Sequence, residues 1–229
     1  MTLRAAEVWQ EVDVVAGYKT YVELVRPFLG GQRVVATGMR QEVDRCREVV
    51  RMAGAGHRVA LVSSGDAGIY GMAGILLECL EQAGLLGLPV EIVPGVTAAT
   101  AAASLLGAPL MHDFAVISLS DLLTPWEVIL RRVRLAAEGD FVLAIYNPKS
   151  QGRTTQIEEV QQVVMAYRRP DTPVGLVREA LRGAGCSAVL SRLDSFTRED
   201  IDMLTTVIIG NSQTRRLGKY LVTPRGYSL

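Results

Sequence analysis

An excess of either charge is what this sequence lacks: its 24 basic and 24 acidic side chains cancel to a formal net charge of zero. No long-range field then draws the chain to nucleic acid or to an anionic membrane surface, and a small-molecule partner is expected instead. Long apolar runs are missing too. The stretch around Gly74 to Leu77 stops far short of the roughly 20 residues that a membrane span needs, so no membrane contact is expected. The opening MTLRAAEVWQEV has neither the apolar core of a signal peptide nor the acid-poor character of a transit peptide, and the expected compartment is the cytoplasm. Cysteine and histidine are scarce. Cys46, Cys79 and Cys186 form no Cys-x-x-Cys pair, and His57 and His112 are scattered. That excludes a disulfide framework and a Cys/His metal cluster; no metal is expected, and the thiols are expected to be buried and free. Lysine appears only at 19, 149 and 219, so arginine supplies most of the positive charge, with a planar fork suited to carboxylates.

Apolar residues are plentiful, at 49%, enough for one large core or two modest ones. In the first half, short β-branched runs alternate with helical patterns: DVVAG (13–17), RVVAT (33–37), RVALVSS (58–64) and VEIVPG (90–95) read as strands. Val43, Cys46, Val49, Val50 and Ala53 recur at helical spacing between the second and third, and Ala73, Leu76, Leu77 and Leu80 form a stripe that Gly84 ends. Repeated strand–helix–strand units of this length imply a mainly parallel sheet. Further on, FAVISLS (114–120) and DFVLAIY (140–146) flank a helix beginning near Pro125. PVGLVRE, SAVLS and TTVIIGN then follow at a closer spacing that suggests antiparallel or mixed pairing. The expected fold class is α/β in two domains, residues 1–108 with a parallel sheet and 109–229 with a mixed one. The turn Gly107–Pro109 is the expected boundary, and a cleft is expected between the domains.

Two segments carry chemistry. In VSSGDAGIYG (62–71) a buried strand ends in a small-residue turn before a helix, so that Gly65 and Gly68 let a ligand approach backbone N–H groups. It has neither the Gly-Lys-Ser/Thr of a Walker loop nor the spacing G-x-G-x-x-G. VPGVTAATAAASLLGAPL (93–110) starts with a turn and runs into a helix of small residues. Its alanines equally suit a tightly packed core helix, while Thr97 near the start offers its hydroxyl and N–H.

Taken in order, these segments resemble the tetrapyrrole methyltransferase family, whose members share a turn of the type SGDxxxxG and a helix start PGxTAxxAA. HDFAVISLSDLLTPW (112–126), IYNPKS (145–150), TTVIIGN (205–211) and GYKTY (17–21) extend the match over nearly the whole chain. They look most like the branch that methylates ring carbon 17 of precorrin-3B, or of its cobalt-containing counterpart cobalt-factor III, with ring contraction. Another corrin or uroporphyrinogen methyltransferase, or a non-catalytic binding subunit, is the alternative. The resemblance implies a two-domain homodimer that binds S-adenosylmethionine and a tetrapyrrole substrate. By motif position the cofactor contacts would be Ser64, Gly65, Asp66, Ile69, Thr97, Ala98 and Asn147, followed by Ser118, Leu119, Ser191 and Thr206, with Ser191 the most loosely aligned. Family members also begin with a strand and a loop GxGPGDPxLLT, of which Thr2 and Leu3 are the counterpart of the end. The expectations are a start assigned too late or a missing first strand.

Methyl transfer from a sulfonium is an in-line displacement that needs no nucleophilic side chain, which agrees with the lack of a Ser/His/Asp or Cys/His constellation. The substrate's acetate and propionate arms call for cations. Lys19, Arg40 and Arg153 are the candidates, each in or beside an expected loop, where a solvated surface charge is the competing reading. Ring contraction involves proton movement, for which His112 and Asp121 are the candidate acid–base groups.

Overall fold

The computed structural model describes residues 1–228. The chain divides into two compact units, Met1–Thr97 and Ala98–Leu229, so the turn expected as a boundary at Gly107 lies inside the second unit by this division.

In the first unit, α1 (Leu3–Glu11) is capped by the Thr2 hydroxyl, which accepts from the Ala5 N–H at 3.3 Å. Then come β1 (Val14–Tyr18), α2 (Lys19–Val25), β2 (Arg33–Thr37), α3 (Glu42–Gly54), β3 (Val59–Val62) and α4 (Ala73–Gln82). The three strands are parallel in the order β2-β1-β3, with Ala16 opposite both Val35 and Leu61. Alternate residues of β1 point to opposite faces, and both faces are covered. Val14 and Ala16 pack with Val49 and Met52 of α3, whereas Val15 packs with Trp9 of α1 and Val62. A strand buried on both faces reads as the continuous apolar run seen here.

Cys46, Val49 and Val50 of the expected helical stripe are buried, and Val43 in the first turn is exposed. In α4, Ala73 and Leu80 are buried while Leu77 faces solvent. Gly84 ends that helix at φ +66°, its N–H donating to Glu81 as Leu85 reaches back to Leu80, the pattern of a left-handed helix stop. Cys46 and Cys79 are free and buried, and burial pushes the Cys46 thiol up to about 12; Cys186 is only half-buried. The strand expected at 90–95 does not form. Residues 90–97 are irregular and make no ladder: Pro94 has no N–H to donate, and Val90, Ile92 and Val96 are exposed.

The second unit opens with α5 (Ala98–Leu106) and β4 (Gly107–Ala108), then β5 (Phe114–Ser118), α6 (Trp126–Glu138), β6 (Val142–Tyr146), α7 (Gln156–Met165), β7 (Pro173–Arg178), β8 (Ser187–Arg192), β9 (Thr205–Ile209), β10 (Arg215–Leu217) and β11 (Tyr220–Val222). Five strands form a mixed sheet in the order β5-β6-β9-β7-β8. Only the β5–β6 pair is parallel. A small second sheet runs β10-β11-β4.

On one face of the large sheet Ala102, Ala103 and Leu106 of α5 pack on Val142, Val177 and Ile208. Small residues permit this close approach: a Cβ at Gly175 would lie 2.4 Å from Leu106 Cδ1. On the other face α6 and α7 close over Leu143, Ile145, Val207 and Ile209, with Phe196 fully buried among them. Neither α7 nor Phe196 is among the sequence expectations above. Among the described residues no helix is long and apolar enough to cross a membrane.

Phe196→Ala should leave a cavity in this larger core that the surrounding side chains cannot fill, at a cost of about 3–5 kcal/mol. A drop in the urea midpoint at unchanged slope is the expected readout, and an unchanged midpoint would show that Phe196 is dispensable.

Candidate functional site

In a parallel sheet, loops leaving the carboxyl ends of the strands collect on one edge, and ligands of α/β sheets bind there. That edge of the first unit holds Lys19, which starts α2; Arg40, in the turn after β2; and the loop of residues 63–72 after β3. Lys19 and Arg40 are exposed. The Arg40 turn is held from beneath by Arg45, a buried side chain whose Nε donates to Thr37 Oγ1 at 2.6 Å and whose Nη2 donates to the Gly38 carbonyl at 2.8 Å. This residue was not anticipated. Its signal was a charge set directly beside Cys46 in the buried stripe.

The 63–72 loop is organised by one carboxylate. Asp66 Oδ1 accepts from the Gly68 N–H and Oδ2 from the Gly95 N–H, both at 2.8 Å. The amides of Gly95 and then Gly68 hold this carboxyl below the usual aspartate range. Ser63 Oγ accepts from the Met72 N–H at 2.9 Å and secures the other end of the loop. Two glycines are required by crowding. A Cβ at Gly95 would lie 2.0 Å from the Gly65 carbonyl oxygen, and one at Gly71 would lie 2.4 Å from that of Ala67. Gly65 itself takes φ +69°, which L side chains avoid. Gly65 and Ile69 are exposed, while Ser64, Asp66 and Thr97 are half-buried. The loop and the Gly95 turn, joined through Asp66, thus form one cradle of small residues, with Thr97 two residues beyond the turn.

In the second unit Ser118 ends β5 and Tyr146 ends β6, directly opposite each other. Asn147 follows at φ +50°, and its Nδ2 donates to Ser118 Oγ at 2.9 Å. The Leu119 N–H donates to the Tyr146 carbonyl at 2.9 Å. The Tyr146 hydroxyl accepts from the Ala99 N–H at 2.6 Å, satisfying an amide in the first turn of α5 beside Ala98. Tyr146 was missed, although it adjoins Asn147 in the same motif. Thr206 is buried in β9 next to Val207, which pairs with Ile145, so it belongs to this end of the sheet. Asp121 and Arg153 are here too, paired at 3.2 Å. Arg153 is buried rather than lying in solvent.

Two expected site residues stand apart within this unit. Ser191 pairs with Val174, itself level with Ile209 and Leu143, which puts it three residues or about 10 Å along the strands from Tyr146. Its hydroxyl donates to Glu199 at 3.0 Å. His112 precedes β5, at the opposite end from Ser118 and Asp121. Exposed, with Nδ1 accepting from the Asp113 N–H at 2.8 Å, it lines a separate cavity of about 360 Å³ with Asp140, Asn211 and Arg225. The geometry therefore does not bring the two acid–base candidates together. Among the described residues no group of three or more His, Cys, Asp or Glu is placed to hold a metal ion.

Turns of small residues at strand ends, present in both units, are where α/β proteins place their small-molecule sites. More particularly, the chain belongs to the tetrapyrrole (corrin/porphyrin) methylases, whose family model matches residues 1–183. A cobalt-factor III methyltransferase of Priestia megaterium is 51% identical over 99% of this chain, which spans only 42% of that longer protein. A probable cobalt-factor III C(17)-methyltransferase of Salmonella typhimurium is 48% identical over the whole chain and 94% of its own length. Among solved structures, the methyltransferase CobJ superposes with a TM-score of 0.92 at 38% identity, covering 98% of this chain and 93% of that one. A uroporphyrin-III C-methyltransferase from Thermus thermophilus, solved with S-adenosyl homocysteine, gives 0.70 at 27% identity over 92% of this chain and 90% of that one.

Asp66→Asn should destabilise the first unit, because an amide side chain can accept from only one of the two converging N–H groups. The other loses its partner, at about 1–3 kcal/mol. Since the Asp66 carboxyl is depressed in the folded chain, its contribution is present above the unfolded aspartate value near 3.9 and is lost as pH falls through the lower folded value. Melting temperatures from pH 7 down to 3 should therefore converge for the two proteins as acid is added; a constant gap would contradict the role given to the charge.

Proposed function

We propose that the chain is an S-adenosylmethionine-dependent methyltransferase of cobalamin biosynthesis that methylates cobalt-factor III, or metal-free precorrin-3B, at ring carbon 17 with ring contraction. The observation that carries this reading is 48% identity to a C(17)-methyltransferase over the whole chain and nearly the whole of that relative. A homodimer acting in the cytoplasm belongs to the same reading.

When bound, S-adenosylmethionine supplies an electrophilic methyl group on a positively charged sulfur. The first unit's cradle fits such a group in its chemistry: backbone polar groups and small side chains surround a carboxylate kept ionised by two amides. We assign Ser64, Gly65, Asp66, Ile69 and Thr97 to holding it, with Asp66 shaping the loop. From the second unit we assign Ala98, Ser118, Leu119, Asn147 and Thr206. The chain's contribution is alignment, worth about 7 to 11 kcal/mol where donor and acceptor are well oriented, and no covalent step on the protein is needed. Lys19 and Arg40 are assigned to the substrate's carboxylate arms, which paired N–H donors or an ammonium recognise as anions. His112, at the far end of β5, takes no part.

Purified chain incubated with S-adenosylmethionine should add one methyl group to cobalt-factor III or precorrin-3B, read as a mass increase of the macrocycle, and none to uroporphyrinogen III. Methylation of uroporphyrinogen III instead, or cofactor binding with transfer to none of the three, would overturn the assignment.

A further inference from the structure

Two loops of the second unit carry residues assigned above to the cofactor, Ser118 and Leu119 after β5 and Asn147 after β6, and one buried cation ties them together. Arg153 is 6% exposed. Its Nη2 donates to the Asn147 carbonyl at 2.7 Å and its Nη1 to Asp121 Oδ1 at 3.2 Å. Its Nε is buried and meets no acceptor among the described residues. A tight reversal brings it there: the Ser150 N–H donates to the Arg153 carbonyl at 2.9 Å, and the Arg153 N–H donates back to Ser150 at 3.2 Å. The side chain thereby folds back to Asn147.

Asn147 needs that support. Its φ of +50° is a left-handed conformation, which asparagine enters more readily than other L side chains but which is held in one place only where the surroundings over-determine it. Here the Asn147 carbonyl is fixed by Arg153 and its amide by Ser118. Contacts run from Asp121 through Arg153 and Asn147 to Ser118, joining both loops. A guanidinium serving a substrate carboxylate would present its fork to the open site; this one turns an N–H of each terminal nitrogen to a protein oxygen and is 6% exposed.

We infer that Arg153 is a positioning residue, which fixes the left-handed turn at Asn147 and the loops after β5 and β6 for the cofactor, and that it does not grip the substrate. This rests on the cofactor assignment proposed above. Asp121 follows as the anchor of that cation and not as a proton carrier.

Arg153→Lys keeps the charge, but a single ammonium does not reproduce the fork that spans two acceptors. It should weaken S-adenosyl homocysteine binding, measured by calorimetry, by about tenfold, the low end of what supporting-layer substitutions cost at built sites. The KM for S-adenosylmethionine should rise with it while the KM for the corrinoid stays constant. Asp121→Asn should shift the same parameters by less, and the double variant should bind no worse than Arg153→Lys, because linked residues are not additive. A raised corrinoid KM at unchanged cofactor affinity, or no change in either, would overturn the inference. Should Arg153→Lys fail to fold, Asp121→Asn carries the test: weaker cofactor binding supports the inference and unchanged binding overturns it. Wild-type chain that binds the cofactor product but methylates no corrinoid defeats only the substrate reading. Wild-type chain that does not bind it defeats the cofactor reading and this inference together.

Discussion

Two backbone amides converging on the carboxylate of Asp66 are the constraint on which the first unit's site depends. One comes from two residues away and the other from Gly95, 29 residues on, so a single side chain sets the shape of the loop after β3 and docks the 94–97 turn against it. Bringing the two backbones into contact leaves no room for a side chain at Gly95 or Gly71. A neutral side chain would not suffice, because it cannot accept from both amides with equal strength, and the depressed carboxyl of Asp66 records that preference for the charged form.

The second unit reaches a comparable end by other means. Its sheet is mixed, so carboxyl ends of strands do not all lie on one edge. The parallel pair β5–β6 nonetheless delivers Ser118 and Tyr146 side by side, and the antiparallel β9 enters the sheet with Thr206 at the same level. Hydrogen bonds between the following loops then do what the Asp66 carboxylate does in the first unit. Asn147 and Ser118 bond directly, the Tyr146 hydroxyl satisfies an amide of α5, and Arg153 spans the gap to Asp121. Each of these partners is distant in sequence, which is why their cooperation is a property of the fold and not of any one motif.

That distinction explains how much could be read in advance. Strands such as VLAIY and TTVII are legible because both faces are buried and the run is continuous in apolar and β-branched residues; α3 is legible because Cys46, Val49 and Val50 are buried together. The VEIVPG run has the same β-branched composition but makes no ladder, since composition states a preference and pairing requires a neighbouring edge. Site residues follow the same rule. Gly65 and Asp66 lie in a short motif with a local consequence, since the Asp66 carboxylate bonds the Gly68 amide two residues on. Sequence alone reads Arg153 as a substrate contact and Asp121 as a proton carrier, because nothing in the chain order says that residues 32 apart form an ion pair. His112, the other acid–base candidate, lies at the opposite end of β5 from Asp121, a separation that strand direction sets and the sequence order does not display.

Backbone strain supports the same assignment of edges from an independent direction. Among the described residues, six other than glycine have positive φ: Arg40, Tyr70, Asp140, Asn147, Glu179 and Leu181. In the first unit, Arg40 and Tyr70 lie in the loops that leave β2 and β3 at their carboxyl ends. In the second, Asn147 follows β6, and Glu179 and Leu181 follow β7 at the level of Thr205. Only Asp140 sits at the other end of its sheet, where its carboxylate accepts from the Ser212 N–H and hydroxyl at 2.9 and 2.6 Å, a local interaction that compensates the conformation. Were strain a by-product of turning the chain, it would fall on both ends of each sheet alike. Its concentration on the edges that carry the assigned cofactor residues is the pattern expected when loops are held in costly conformations to present their polar groups to a ligand.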